Sequence, residues 1–240
     1  MQPTSNLYEE LLAGSHWKET RLSINDSDPN TSYDESILIS MHTYRQVFPS
    51  ETPSVGGCIS GEIAIEMKRP PSTIPRQAKL VPYVRLTDGS RATEWIKKGV
   101  FYVDTRSMRE DGSNFEVLTI KGYDDILKAE QDYPETTLTW PAIDIDVVDE
   151  IAKFIGVSVD SRTRDVIKNA YQVGYPADYS CRETLGYIAA MYGGSFIMSD
   201  LGELLLVTLG DVFADDDRVT NYLINEEGYN ITVGGVRILV

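Results

Sequence analysis

Histidine and cysteine, which carry much of the nucleophilic, acid–base and metal chemistry of proteins, are scarce in this 240-residue chain. The only histidines are His16 and His42, and the only cysteines are Cys58 and Cys181. The cysteines show no metal-ligand spacing, so we expect two buried free thiols and a reducing compartment during folding. The histidines are expected to be structural or exposed rather than general bases.

Local signatures of common enzyme classes are also missing. The sequence has no P-loop, no dinucleotide-binding glycine fingerprint, no H-E-x-x-H motif and no nucleophile elbow. Residues 26–30 begin like a calcium loop, but Thr31 replaces the required glycine and Ile37 stands where the bidentate glutamate belongs. The carboxylates of residues 215–217 are expected to be solvated. We therefore predict a protein that is not an enzyme, with no catalytic, cofactor-binding or metal-binding residues.

Long apolar runs are absent as well. No uninterrupted apolar run approaches the roughly 18 residues that suggest a membrane helix. The first ten residues lack a basic start followed by an apolar core, so we expect no secretory signal.

What the chain has in excess is negative charge. Its formal net charge is −15, and the charge is uneven. Residues 1–120 hold 16 acidic against 13 basic side chains, whereas residues 121–240 hold 21 against 9. Phosphate neutralisation needs clustered Lys and Arg, so we expect no sequence-specific nucleic-acid binding. The plain interpretation of this charge is that it keeps the protein soluble. If several copies surrounded a passage for DNA, the same charge would repel the DNA and let it slide.

The first part of the chain has a β pattern. Short apolar or alternating runs separated by Gly, Pro, Asn and Asp turns predict a small antiparallel barrel or sandwich over residues 1–135. A short helix is predicted at residues 7–12, with Ser5 as its cap. The predicted strands are residues 21–25, 36–41, 61–67, 79–86, 94–104 and 115–120.

Helical periodicity appears in the second part. Asp144 or Asp146 can cap a helix that ends at Gly156, and residues 161–171 form a weaker helical candidate. The apolar face of the first helix is Val147, Val148, Ile151, Ala152 and Ile155. An acidic loop at residues 211–218 and a strand or hairpin around Gly234 and Gly235 are expected to follow.

Residues 179–209 form the best specified unit. Ser180 and Glu183 have the spacing of a capping box, and an apolar helix face follows them. We expect Gly193 and Gly194 to end this helix. Strands are predicted at residues 195–199 and 204–209, joined by a type I turn with a glycine bulge at residues 200–203.

This unit, CRETLGYIAAMYGGSFIMSDLGELLL, resembles the helix-then-hairpin segment of tail hub proteins from phages and prophages of Gram-positive bacteria. Three other stretches are similar to the same family: WIKKGVFYVDTRS to its glycine–aromatic strand, FEVLTIKGYDDILKAEQ to its strand followed by a short acidic helix, and TLTWPAIDIDVVDEIAKFIGV to its next helix. The resemblance runs from about Trp17 to the end of the chain.

The resemblance implies an α+β structural protein. Its parts would be an antiparallel β-barrel-like domain (residues 1–125), a small helix-containing α/β domain (residues 126–203) and the start of further β structure (residues 204–240). A hub would have a second complete barrel after the strand from Leu204, and residues 204–240 provide only its beginning. The chain is then a fragment, a degenerate copy or a shortened variant.

The hub family also implies partners and a location. The protein would sit in the virion tail, after synthesis in the bacterial cytoplasm. It would form a trimeric ring with a passage for DNA, joining the tail tube and distal tail protein to the tip or fibre near the tape-measure protein.

Two other classes stay open. A carbohydrate- or peptide-binding β module would use exposed tyrosines and tryptophans, and the chain has fourteen tyrosines. We expect Trp17, Trp95 and Trp140 to be core or interface anchors, and we favour the core. A divergent hydrolase would bring His42 or Cys58 together with carboxylates.

Overall fold

The computed structural model describes residues 4–25, 32–48, 54–111, 115–210, 232–233 and 236–237. Contacts divide the chain into two units, Met1–Thr208 and Leu209–Val240. The fold is mixed α+β with mostly antiparallel sheets, as predicted. No helix in the described ranges is both long enough and apolar enough to cross a membrane.

The elements follow one another along the chain, with one 3-10 helix at Asp125–Glu130 between β9 and β10. They are α1 (Asn6–Ala13), β1 (Trp17–Ile24), β2 (Ser32–Asp34), β3 (Leu38–Tyr44), β4 (Gly57–Cys58), β5 (Glu62–Lys68), β6 (Lys79–Thr87), β7 (Ile96–Lys97), β8 (Phe101–Asp111), β9 (Phe115–Tyr123), β10 (Ala142–Ile143), α2 (Asp144–Ile155), α3 (Ser161–Val166), β11 (Gln172–Val173), α4 (Cys181–Met191), β12 (Gly194–Met198), β13 (Leu204–Thr208), β14 (Thr232–Val233) and β15 (Val236–Arg237).

An eight-stranded antiparallel sheet forms the first layer. Its strand order is β2-β1-β6-β8-β9-β5-β3, and β7 pairs with β6. In β5 the alternation of side chains sends every second one to the core, where Ile63, Ile65 and Met67 are buried. The core of this sheet consists of Leu22, Ile24, Tyr33, Leu38, Ile63, Ile65, Met67, Ile74, Ala78, Leu80, Phe101, Val103, Leu118 and Ile120.

The two ends of the sheet are linked by a short connection. Its two edge strands, β2 and β3, are consecutive in the chain and are joined only by residues 35–37. This connection bonds to strands on both sides, because the Lys68 amide donates to the Ile37 carbonyl (2.9 Å) and the Thr20 amide donates to Glu35 Oε1 (3.1 Å). In the described ranges β2 and β3 do not pair with each other, so hydrogen bonds do not close this sheet into a barrel.

The predicted strands exist, but several of their boundaries differ from the prediction. Residues 94–104 divide into β7 and β8, since the chain leaves the ladder around Gly99, which has φ 136°. Strand β1 begins at Trp17, four residues before the predicted start, because it pairs with β6 over its whole length. Its first four residues are exposed or partly buried, so they lack the apolar pattern by which a strand is predicted. The tryptophan itself is 64% exposed and is no core anchor.

A second core lies between helices α2 and α4, the 3-10 helix and a three-stranded sheet of order β13-β12-β4. β4 comes from the chain region of the first sheet, yet it pairs with β12 in parallel. The predicted domain boundaries after residues 125 and 203 stay predictions. The buried members of this core are Cys58, Ile126, Ala129, Ala142, Val147, Val148, Ile151, Ala152, Ile155, Ile167, Cys181, Leu185, Ile188, Ala189, Phe196, Met198, Leu204 and Leu206.

Helix α4 begins as predicted. The Glu183 amide donates to Ser180 Oγ (3.1 Å), and the Ser180 amide donates to Glu183 Oε2 (2.8 Å), which completes a capping box. At the other end only Gly193 takes a left-handed conformation (φ 64°). Gly194 already belongs to β12, so its predicted role in stopping the helix was wrong.

The turn between β12 and β13 is confirmed. Gly202 has φ 84°, and its amide donates to the Ser199 carbonyl (3.0 Å). The hairpin predicted around residues 234–235 also exists, as β14 and β15. Residues 26–30, 211–218 and 215–217 lie outside the described residues.

Helix α2 has its predicted apolar face and ends at Gly156 (φ 82°), but its predicted cap was wrong. The N-cap is Ile143, with no side-chain cap hydrogen bond. Asp144 is fully buried inside the first turn, where it accepts the hydroxyl of Tyr192 at 2.5 Å. Helix α3 ends at Val166, short of the predicted residue 171. Helix α1 and its Ser5 cap are confirmed.

Replacing Ser180 by Ala should lower the free energy of unfolding by about 1 kcal/mol, because the Glu183 amide at the start of α4 loses its acceptor, Ser180 Oγ. Glu183→Gln should have a much smaller effect, since Gln can also complete a capping box. Urea titration measures both. Ser161→Ala, at an exposed first-turn position of α3, is the control; an equal loss there would show that the box does not stabilise α4.

Candidate functional site

The residues with reactive side chains do not converge. His42 is exposed on β3, with its ring centroid 6.3 Å from that of Tyr44, and His16 Nδ1 lies 3.2 Å from the Gly14 carbonyl. Cys58 and Cys181 are free and buried, as expected. The described residues contain no group of three or more His, Cys, Asp or Glu that could hold a metal ion.

Burial makes both thiols poor nucleophiles. It raises the pKa of Cys58 to about 12 and that of Cys181 to about 11, so both stay protonated at neutral pH. The geometry therefore gives no support to a hydrolase built on Cys58 and His42.

A buried carboxylate joins the first sheet to the 3-10 helix. Asp124 accepts the Gly61 amide (2.6 Å), the Ser60 hydroxyl (2.9 Å) and the Ile126 amide (3.1 Å). Burial outweighs these bonds and raises its pKa to about 6. Both carboxylate oxygens of Asp124 accept hydrogen bonds from the protein itself. The residue therefore links two parts of the fold and is not placed to act as a general acid on a ligand.

A charged junction fastens the β12–β13 hairpin to the first sheet. Asp200, at the hairpin tip, accepts from the Arg45 guanidinium and lies 3.2 Å from Lys98 Nζ. Arg45 also donates to the Lys98 carbonyl (2.7 Å), and Lys97 Nζ donates to the Leu201 carbonyl (2.9 Å). Burial alone would raise the pKa of Asp200, but Arg45 and Lys98 hold it below the ordinary value.

A groove of about 560 Å³ runs beside α4, against the segment that contains β4. Helix and strand approach closely here, because a Cβ on Gly186 would lie only 2.6 Å from the Gly56 carbonyl oxygen. Arg182 donates to the Cys58 carbonyl (2.7 Å) and pairs with Glu130. The groove is lined by backbone and mixed side chains and contains no converging polar set that suggests a small-molecule site.

Next to the groove lies a surface that we call the aromatic surface, formed by Tyr133, Trp140, Tyr175, Tyr179 and Tyr187. Three rings pack edge to face, with centroid distances of 5.4 Å for Trp140–Tyr175, 5.9 Å for Tyr133–Trp140 and 6.3 Å for Tyr133–Tyr175. The other two rings are 5.1 Å apart. The Tyr133 amide donates to the Tyr179 carbonyl (3.1 Å), which joins the two groups.

Sequence reasoning did not find the aromatic surface. Its members are separated by up to 54 positions, from Tyr133 to Tyr187, and have no common spacing. Trp140 was predicted as a core anchor and does pack against the second core, though only partly buried. Trp95 is also only partly buried, between the guanidinium groups of Arg21 and Arg85, each 4.5 Å from its ring.

Two solved structures with the same fold are tail proteins, one of them from a prophage. The 43 kDa tail protein of prophage MuSo2 from Shewanella oneidensis is 15% identical, with a TM-score of 0.52 over 81% of this chain and 56% of that one. A tail protein from Neisseria meningitidis MC58 is 11% identical, with a TM-score of 0.50 over 79% of this chain and 50% of that one. The chain thus spans about half the length of these proteins.

No protein-family profile matches the sequence, and no curated protein matches it either. At this low identity the structural likeness shows the fold. It confirms at that level the resemblance to phage tail proteins that the helix–hairpin unit indicates.

Gly186→Ala should lower the free energy of unfolding by about 1–3 kcal/mol, because the new Cβ collides with the Gly56 carbonyl and forces β4 away from α4. Chemical denaturation measures the effect. Gly174→Ala is the matched control, since no atom lies within 4 Å of its Cβ position. A Gly186 variant as stable as the control would contradict the close helix–strand contact.

The buried Asp124 should make stability depend on pH. The pKa of Asp124 in the folded protein, about 6, lies above the ordinary value of 3.8, so protonation of this carboxyl stabilises the folded state. This stabilisation is complete below about pH 4 and is lost as the pH rises through 6. From pH 5 to pH 7.5 this group should reduce the free energy of unfolding by about 1 kcal/mol.

The test is urea unfolding of the wild type and of Asp124→Asn at both pH values. The asparagine variant should lack that decrease, whereas Asp178→Asn, at an exposed position, should keep it. Identical pH differences in the wild type and the Asp124 variant would show that the carboxyl does not titrate as described.

Proposed function

We propose that this protein is a structural component of a phage or prophage tail, specifically a subunit of the hub ring that joins the tail tube and distal tail protein to the tip or fibre. The observation that carries the proposal is the fold, which is shared over about four-fifths of the chain with two tail proteins, one of them from a prophage. The protein would be made in the host cytoplasm and reside in the virion tail.

The charge of the chain supports a ring around a DNA passage. The net charge of −15 is concentrated in the second half of the sequence. Carboxylates around a passage repel phosphates, so DNA would slide without being held. The same charge disfavours a role in nucleic-acid binding.

Exposed apolar side chains on the Met1–Thr208 unit offer surface for assembly. An assembled ring buries such side chains between subunits, and their burial would supply most of the association free energy. By analogy with the hub family the ring is a trimer, in contact with distal tail, tape-measure and tip or fibre proteins. Such side chains outside the aromatic surface include Leu12, Trp17, Ile39, Tyr44 and Met108.

The proposal predicts that the purified protein forms a trimer. Sedimentation velocity and negative-stain microscopy should show a trimeric species with a ring outline, and co-expression with the distal tail protein of the same phage or prophage should give a larger complex. In the encoding phage, deletion of the gene should stop tail assembly at the tip, and a plasmid copy should restore it. Normal infectious particles without the protein would contradict the proposal.

A further inference from the structure

The aromatic surface exposes more ring area than packing requires. Tyr175, Tyr179 and Tyr187 are 51%, 43% and 58% exposed. The rings are nevertheless held in place: the Tyr133 hydroxyl donates to Glu150 Oε2 (2.5 Å), and each exposed ring rests on a neighbouring ring. A surface ordered in advance loses little conformational freedom when a partner binds, so such rings make efficient contacts.

The surroundings of these rings are acidic. Residues 129–152 and 169–181, which supply four of the five rings, contain no Lys or Arg. Asp132 precedes Tyr133 and lies opposite Ser180 in an antiparallel bridge, and Asp178 precedes Tyr179, so both acidic residues are chain neighbours of ring-bearing residues. Both residues are exposed, and neither has an ion-pair partner in the described part of the chain.

The neighbouring cation does not neutralise this surface. Arg182 follows the acidic stretch, but its guanidinium is already engaged by Glu130 and by the Cys58 carbonyl. Elsewhere in the protein partly buried aromatic rings do carry cations: Lys128 Nζ lies 4.7 Å from the Tyr102 ring centroid, and Arg85 lies over Trp95. Among the described residues no cation lies over a ring of the aromatic surface.

We propose that the aromatic surface is a docking site for a Lys- or Arg-bearing segment of a partner protein. A cation over a tyrosine or tryptophan face is attracted by the ring quadrupole, and adjacent carboxylates add to that attraction. The same charges repel acidic segments, which makes the surface selective. The proposal goes beyond the hub role, because it identifies the chemistry of a partner and holds whether or not the protein forms a ring.

The test is fluorescence anisotropy with a labelled peptide of alternating Lys and Gly. The wild-type protein should bind it, and the same peptide with acetylated lysines should not bind, since acetylation removes the charge. Tyr175→Ser/Tyr187→Ser should weaken binding about tenfold, as expected for the loss of two cation–ring contacts. Asp132→Asn/Asp178→Asn should weaken binding severalfold, by roughly the effect of two exposed charge interactions.

Two control variants separate this site from general attraction to an acidic protein. Tyr44→Ser removes a tyrosine that is 57% exposed on β3, away from the aromatic surface. Glu9→Gln/Asp104→Asn removes the same charge from exposed positions in the first part of the chain. Both controls should keep the wild-type affinity within about twofold, and circular dichroism should show that every variant is folded.

Three results would overturn the proposal. Equal losses in the surface variants and their controls would mean unspecific electrostatic attraction. Undiminished binding of the acetylated peptide would mean an apolar partner instead. Failure to bind the lysine peptide, together with loss of self-association in Tyr175→Ser/Tyr187→Ser, would make the surface a contact between copies. Peptide binding by a strictly monomeric protein would support the docking site while counting against the ring.

Discussion

The pairing of β4 with β12 is the constraint on which the second half of this structure depends. Only Gly57 and Cys58 form β4, yet they complete a sheet whose other strands come more than 130 residues later. Helix α4 can cover this sheet only because Gly186 and Gly56 allow backbone contact. The groove, the position of Arg182 and the exposed face of α4 all follow from this short parallel pairing.

Two carboxylates, one buried and one partly buried, fix the same arrangement from two sides. Asp124 connects the start of β5 to the 3-10 helix that packs under α4, and Asp200 connects the β12–β13 hairpin to Arg45 and Lys98 of the first sheet. Each carboxylate has its oxygens occupied, so any displacement would leave a desolvated charge without partners. Apolar packing would tolerate several positions of the hairpin, whereas these pairs allow one.

Because α4 buries one face against this sheet, its opposite face is free. Tyr187 on that face meets Tyr179, and the backbone bond between Tyr133 and Tyr179 continues the aromatic surface towards Trp140. An exposed aromatic surface is suited to contacts with other proteins. That character fits the proposed place in a phage tail.

The sequence by itself determined the features that depend on neighbouring residues. The Ser180–Glu183 box, the apolar face of α2, the Gly156 and Gly202 turns and the buried cysteines were all predictable, because capping, periodicity and left-handed glycine act within a few positions. The fold class followed from them, as did the likeness to tail proteins at the level of fold.

Only the tertiary structure decided the rest. It placed Asp144 under Tyr192 instead of at a helix cap, exposed Trp17, recruited β4 into a distant sheet and assembled the aromatic surface. Each of these features joins residues that are far apart in the chain. Their free energies come from burial and pairing between distant segments, which no local pattern of side chains encodes.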